Sequence, residues 1–105
     1  MSKRIEALVL ERALQLVKDG HVSGHLAATA GGKKADWFSR RAKRFCAVGA
    51  IRRACLDALG AIDGQRVANR LFERCFGSEI RLASKNDRQG KEWVIALFQQ
   101  ALQDM

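Results

Sequence analysis

The stretch Phe45–Leu56 constrains the fold of this chain more than any other, because nearly all of its residues are small or apolar. Arg52 and Arg53 are its main interruptions. A helix with so little polar surface is stable only when neighbouring elements cover it on most sides. Gly49 costs about 1 kcal/mol relative to alanine in mid-helix, so we expect a neighbouring helix to cross closely at this position.

Length and helical periodicity predict a single all-α domain over residues 1–105. Apolar residues make up 48% of the chain, and proline is absent. We predict a compact bundle of about four helices around a central buried helix. The predicted helices cover residues 5–18, about 39–59, about 64–76 and 91–103. Residues 20–38 and 78–90 are predicted as loops, with residues 25–30 forming either a short helical turn or an extended strand.

Positive charge is concentrated in one segment of the chain. The net charge of the whole protein is +8. Residues 33–53 contain eight basic residues and one acid, Asp36, and account for +7 of that total. Such a concentration is typical of a surface that binds a polyanion or an acidic protein face.

The basic residues just before the central helix form the main candidate binding site. Cations at a helix N-terminus oppose the helix dipole, each by about 0.3–1 kcal/mol, so a sequence selected for stability alone would place acids there. Trp37 lies one turn before the arginines and is suited to packing against an arginine or stacking on a base. The alternative is a solvated helix start in which Trp37 and Phe38 cover the core. The candidate residues are Lys33, Lys34, Trp37, Arg40, Arg41, Lys43 and Arg44.

A second candidate surface lies on the third predicted helix. Arg66, Arg70 and Arg74 recur at i, i+4 spacing and therefore form one row along that helix. Such a row is either a solvated face or a second part of the binding site. The two surfaces would form one groove if the fold brought them side by side.

The cysteines favour structural roles. Cys46, Cys55 and Cys75 are odd in number, lie in apolar surroundings and form no C-x-x-C pair, which is typical of buried free thiols. His21 and His25 have no matching cysteine pair, so we predict no metal site and no cofactor. The one arrangement that resembles catalysis is Cys46 at a helix start with His21 or His25 as its base.

The N-terminal sequence does not have the pattern of a secretion signal, because Glu6 and Glu11 follow its first basic residues. No apolar run approaches the roughly 20 residues that a membrane helix needs. We therefore expect no membrane association and a cytoplasmic location, in a bacterial cell or an infected host cell.

Several short motifs occur in a suggestive order along the chain. They are Leu14–Val17, Arg44–Ala54, Asn86-Asp87 and Glu92–Ala101. This order resembles a family of small bacterial and phage proteins with no assigned activity, whose pattern is an aromatic-Cys-Ala-x-Gly-Ala-[Ile/Leu]-x-Arg-Ala helix, a later Asn-Asp pair and a C-terminal helix. Phe45 and Lys85 stand where that family often has tryptophan. The resemblance implies a compact helical domain in which Cys46, Asn86 and Asp87 are structural or functional fixtures of the fold. Asn86 and Asp87 would either cap the last helix or hold the central one, and we favour the second role.

These observations predict a small, basic, non-enzymatic protein that binds nucleic acid or phosphate-rich partners through residues 33–53. The alternative is a phage-type inhibitor that blocks a host defence or nucleic-acid-processing protein through the same basic face. A cysteine-dependent enzyme that uses Cys46 is a further alternative. The sequence leaves the identity of the partner and the oligomeric state open.

Overall fold

The computed structural model describes residues 2–105, with side chains from Arg4 onward. Within these residues the chain forms five helices and two short strands. They are α1 (Ser2–Asp19), β1 (Ala27–Ala28), β2 (Arg44–Phe45), α2 (Ala47–Leu59), α3 (Ala61–Phe76), α4 (Glu79–Gln89) and α5 (Lys91–Gln103). The all-α fold class is therefore confirmed.

The helix α2 is the centre of the core, as predicted. Its residues Val48, Ile51 and Ala54 are completely buried. It packs against α1, α3 and α4, and α1 also packs along α5. The other helices contribute the large buried side chains Leu10, Val17, Leu71, Phe72, Leu82, Val94 and Phe98. This arrangement removes most of the apolar surface of α2 from solvent, which is what its composition requires.

The central helix begins at Ala47, so the prediction that it starts near residue 39 is wrong. Cys46 is its N-cap, with extended backbone, and the Sγ atom accepts a hydrogen bond from the Gly49 N–H at 3.3 Å. The preceding residue, Phe45, pairs with Ala27 in a two-stranded antiparallel sheet, and its ring is buried. The cations that the sequence placed in the first turns of the helix therefore precede it, and the helix-dipole argument does not apply to them. These cations are Arg40, Arg41, Lys43 and Arg44.

Gly49 marks a close approach, but the neighbour is an extended segment and not the helix that we expected. A Cβ atom at Gly49 would overlap the carbonyl group of Leu26. The same carbonyl oxygen accepts a hydrogen bond from the Cys46 N–H at 3.1 Å. Glycine therefore lets the chain before β1 bond to the start of α2.

The helix α4 occupies most of the second predicted loop, so the bundle has five helices within the described residues and not four. The Ser78 Oγ atom caps α4 by accepting a hydrogen bond from the Arg81 N–H at 3.1 Å. Gly90 ends the helix with a φ of 89°. The polar run at residues 84–89 faces solvent except for Asn86, which is completely buried. The helix α3 begins at Ala61, three residues before its predicted start.

Candidate functional site

Six exposed cations, which we call the basic loop surface, lie in the connection between β1 and β2 and at the first residue of β2. They are Lys33, Lys34, Arg40, Arg41, Lys43 and Arg44. Ala28 in β1 contacts the backbone of three of these cations. It pairs with Arg44 on one edge and with Lys34 on the other. Its carbonyl oxygen also accepts a hydrogen bond from the Lys43 N–H at 2.9 Å. Side chains of residues directly opposite one another in a sheet project from the same face, so the side chains of Lys34 and Arg44 share one face of this small sheet.

Two consecutive turns that share Ser39 form the outer part of this connection. The Ser39 N–H donates to the Asp36 carbonyl at 3.0 Å, which places Trp37 and Phe38 at the tip of the first turn. The Ala42 N–H donates to the Ser39 carbonyl at 3.2 Å, which places Arg40 and Arg41 at the tip of the second. The fold thus sets an aromatic pair beside an arginine pair.

Arg53 fixes this double turn to the central helix. Its Nη1 donates to the carbonyl oxygens of Trp37 at 3.1 Å and of Ser39 at 2.7 Å. Its Nε donates to Asp57 at 3.2 Å, and its guanidinium carbon lies 5.9 Å from the centroid of the Phe45 ring. Arg53 belongs to the basic segment 33–53 that the sequence predicted as the binding site, but its donors are used inside the fold.

The two aromatic residues of the double turn differ in exposure. Trp37 is half-buried and lines a small pocket of about 140 Å³ with Leu56 and Ala68, which belong to α2 and α3. Phe38 is 56% exposed. The two rings meet edge to face, with an interplanar angle of 89° and centroids 5.4 Å apart. Trp37 was the residue predicted to stack on a base, but Phe38 is the more exposed aromatic residue and is the one available to a partner.

The cations of the basic loop surface differ from several arginines of the helices in whether they form ion pairs. The cations of this surface form no salt bridge with any residue that the structure describes. Arg12 and Arg53 both pair with Asp57, whereas Arg52 pairs with Glu79 and lies 5.6 Å from the centroid of Phe72. Arg12 and Arg52 link α2 to α1 and to α4, the pair of Arg53 lies within α2, and the loop cations remain open to a partner.

Two of the three arginines in the α3 row lie beside the start of α1. Arg70 and Arg74 lie 3.6 and 3.9 Å from Oε1 of Glu6, a buried side chain near the start of α1. The basic loop surface meets the other end of α1, where Phe45 N–H donates to the Gly20 carbonyl at 3.0 Å. The helix rises about 20 Å between these two levels, at 1.5 Å per residue. Arg66 is exposed on the same row, and binding of a partner by the three arginines stays a prediction.

Asn86 connects α4 with the start of α2 and with the segment before β1. Its Oδ1 accepts hydrogen bonds from the Ala47 N–H at 2.9 Å and from the Nε2 of His21 at 2.8 Å. Its Nδ2 donates to the Val22 carbonyl at 3.2 Å and to Oδ1 of Asp87 at 3.1 Å. The expectation that Asn86 holds the central helix is therefore confirmed.

The geometry around Cys46 gives no support to the hypothesis of a cysteine nucleophile. The thiol is 3% exposed, and burial raises its pKa, with the nearby Asp87 carboxylate acting in the same direction. The hydrogen bond from the Gly49 N–H lowers the pKa but does not outweigh burial. The Nε2 of His21 bonds to Asn86, and His25 is exposed. Burial also raises the pKa of Cys55, to about 12.

Among the residues that the structure describes, no three His, Cys, Asp or Glu side chains are grouped so that they could hold a metal ion. No helix in that part of the chain is long and apolar enough to cross a membrane.

Comparison with known proteins gives one family. The chain belongs to DUF6197, a family of unknown function, which matches residues 1–104. No curated protein and no solved structure matches the chain.

Proposed function

We propose that this member of DUF6197 is a small, non-enzymatic protein that binds nucleic acid through the phosphate backbone, with the basic loop surface as its binding site. The proposal includes a cytoplasmic location, in a bacterial cell or in a cell infected by a phage. The lysines and arginines of the surface supply the donors that phosphate oxygens accept.

One observation carries this proposal: six exposed cations lie in one connection, without an acidic partner among the described residues. Unpaired like charges repel one another, and the fold gains nothing from holding them together. A polyanion would supply the missing counter-charge. Contacts of this type give affinity without reading the base sequence, so sequence preference should be slight.

The backbone of the basic loop surface supports the proposal as well. The connection is fixed by the pairing of Ala28 with Lys34 and Arg44 and by the hydrogen bonds from Arg53. A surface that is already ordered loses less conformational entropy when it binds.

The test is reversal of the exposed arginine pair. In Arg40→Glu/Arg41→Glu, affinity for random-sequence DNA at low salt should fall, because two phosphate contacts become repulsive. The slope of log K against log salt should become shallower by about 1.8 on duplex or about 1.4 on single strands. Fluorescence anisotropy across a salt series measures both quantities.

The matched control is Arg81→Glu/Lys85→Glu, which makes the same charge change on the exposed face of α4. It should retain most of the affinity. An equal loss of DNA affinity in the two variants would mean that binding depends on the net charge of the protein and not on the basic loop surface, which contradicts the proposal. Absence of any DNA binding by the parent protein at low salt would also contradict it. A protein partner with an acidic face, as the inhibitor hypothesis requires, would bind in a salt-dependent manner but would not be displaced by short random DNA.

A further inference from the structure

We infer that the basic loop surface takes single-stranded nucleic acid, with Phe38 as a platform on which one unpaired base stacks. This inference rests on the proposed function and adds the class of nucleic acid. Stacking on an aromatic ring requires a base that is not enclosed between its neighbours in a duplex.

The exposure of Phe38 is the first step. The residue is 56% exposed at the tip of a turn, although exposing a phenylalanine side chain to water costs free energy. Trp37 meets it at an angle of 89°, so at least one face of the Phe38 ring is not covered by Trp37. A base can therefore stack on that face without displacing a neighbouring side chain of the pair.

The second step is the rigidity of the turn that carries Phe38. The two carbonyl groups that flank Phe38, those of Trp37 and Ser39, both accept hydrogen bonds from Nη1 of Arg53. Because Arg53 itself pairs with Asp57 in the central helix, the backbone on either side of the ring is anchored to the core. A stacking platform held in this way needs little reorganisation when it binds.

The third step is the position of the charges. Arg40 and Arg41 occupy the tip of the next turn, which shares Ser39 with the turn of Phe38. A single strand that stacks a base on Phe38 would place its adjacent phosphates beside these guanidinium groups. Proteins that bind single strands combine cations along the backbone with aromatic rings under the bases in this manner.

The shape of the surface also favours a single strand over a duplex. The major groove of a duplex accepts an α-helix or a two-stranded ribbon. Here the cations lie on turns and on the edges of strands two residues long, and α2 begins only after them. Strands of two residues are too short to form a ribbon that reaches the base edges at the floor of that groove, so we expect this surface to contact bases only where they are unpaired.

The test compares Phe38→Ala with the parent protein on a random-sequence 15-mer single strand and on the corresponding duplex. Affinity for the single strand should fall roughly 5- to 150-fold, the range for loss of one stacked base. Affinity for the duplex, which depends on phosphate contacts, should change by less than about twofold. Phe38→Trp should retain binding of the single strand. Ile80→Ala, which removes an 82% exposed aliphatic side chain from α4, is the control and should bind as the parent does.

The outcomes separate this inference from the proposed function. If the parent binds neither probe, the proposed function fails. If the parent binds both probes and Phe38→Ala binds both equally well, the single-strand inference is wrong and the proposed function stands. If Phe38→Ala weakens duplex binding as much as single-strand binding, Phe38 acts as a wedge between base pairs, which also overturns the inference. Thermal unfolding confirms that each variant is folded, which the exposure of Phe38 leads us to expect.

Discussion

At the scale of single residues, surroundings decide what an arginine does. Arg52 and Arg53 follow the basic loop surface closely in sequence, yet their donors are taken by Glu79, Asp57 and backbone carbonyls. The planar guanidinium group satisfies several acceptors at once, which makes arginine suitable for such internal positions. Arg40, at the tip of a turn, has no acceptor of this kind among the described residues and is left for a partner.

The close contact at Gly49 leads to a prediction about stability. Gly49→Ala should destabilise the protein by about 1–3 kcal/mol, because the new Cβ would overlap the Leu26 carbonyl and move backbone. This value is the net change, because the free-energy cost of the overlap should exceed the gain of about 1 kcal/mol that alanine brings to a helix. Chemical denaturation measures the difference. Gly31→Ala is the control, since a Cβ there meets only the Thr29 hydroxyl, at 3.9 Å, and it should be nearly neutral. A Gly49→Ala protein as stable as the parent would show that the two segments separate easily.

The cysteines give a second prediction at this scale. Without denaturant, Cys46 and Cys55 should react slowly with a thiol reagent at neutral pH, because burial raises both pKa values and keeps the thiols protonated and covered. Cys75 is half-buried and should react before them. Mass spectrometry after timed labelling identifies the modified residue. Rapid modification of Cys46 would instead support the nucleophile hypothesis.

At the scale of elements, periodicity and end signals located most of the helices but not the weakest one. The bounds of α5 were predicted correctly, since a glycine precedes an apolar face of the right period. The helix α4 was missed because only Leu82 and Asn86 are buried on it, so its sequence has little apolar periodicity. Turn-forming residues in such a segment are compatible with a helix once Ser78 caps it and a buried asparagine fixes it.

The start of α2 shows why the candidate site was predicted only in part. The sequence identified the loop cations, because charge can be counted without a structure. The predicted helix included Phe45, because a strand of two residues is too short to show the alternation of polar and apolar residues that predicts a strand. The exposure of Phe38 and the anchoring role of Arg53 depend on contacts between residues 14 to 16 positions apart, which local patterns do not contain.

At the scale of the whole molecule, Asn86 makes the segments around the candidate site interdependent. Three of its four hydrogen bonds join α4 to the start of α2 and to the chain that enters β1. The fourth goes to Asp87, whose carboxylate accepts a further hydrogen bond from the Gly24 N–H at 2.9 Å. The groups bonded to Asn86 would lose their partners together, since one buried amide serves them. The Asn86-Asp87 pair thus forms a structural connection between these segments.

Asn86→Ala should therefore destabilise the whole domain by about 2–4 kcal/mol, because the buried Ala47 N–H and Val22 carbonyl would be left without partners. For a chain of this size the midpoint of thermal unfolding should fall by about 10 °C or more. Hydrogen exchange should accelerate at Ala47 and Gly24, which lie on two different segments, more than in α5. Asn69→Ala, at an exposed asparagine on α3, is the control and should leave stability and exchange close to those of the parent. Faster exchange confined to α4 would mean that Asn86 stabilises only its own helix, and the connection between the segments would then have to be maintained by the apolar core alone.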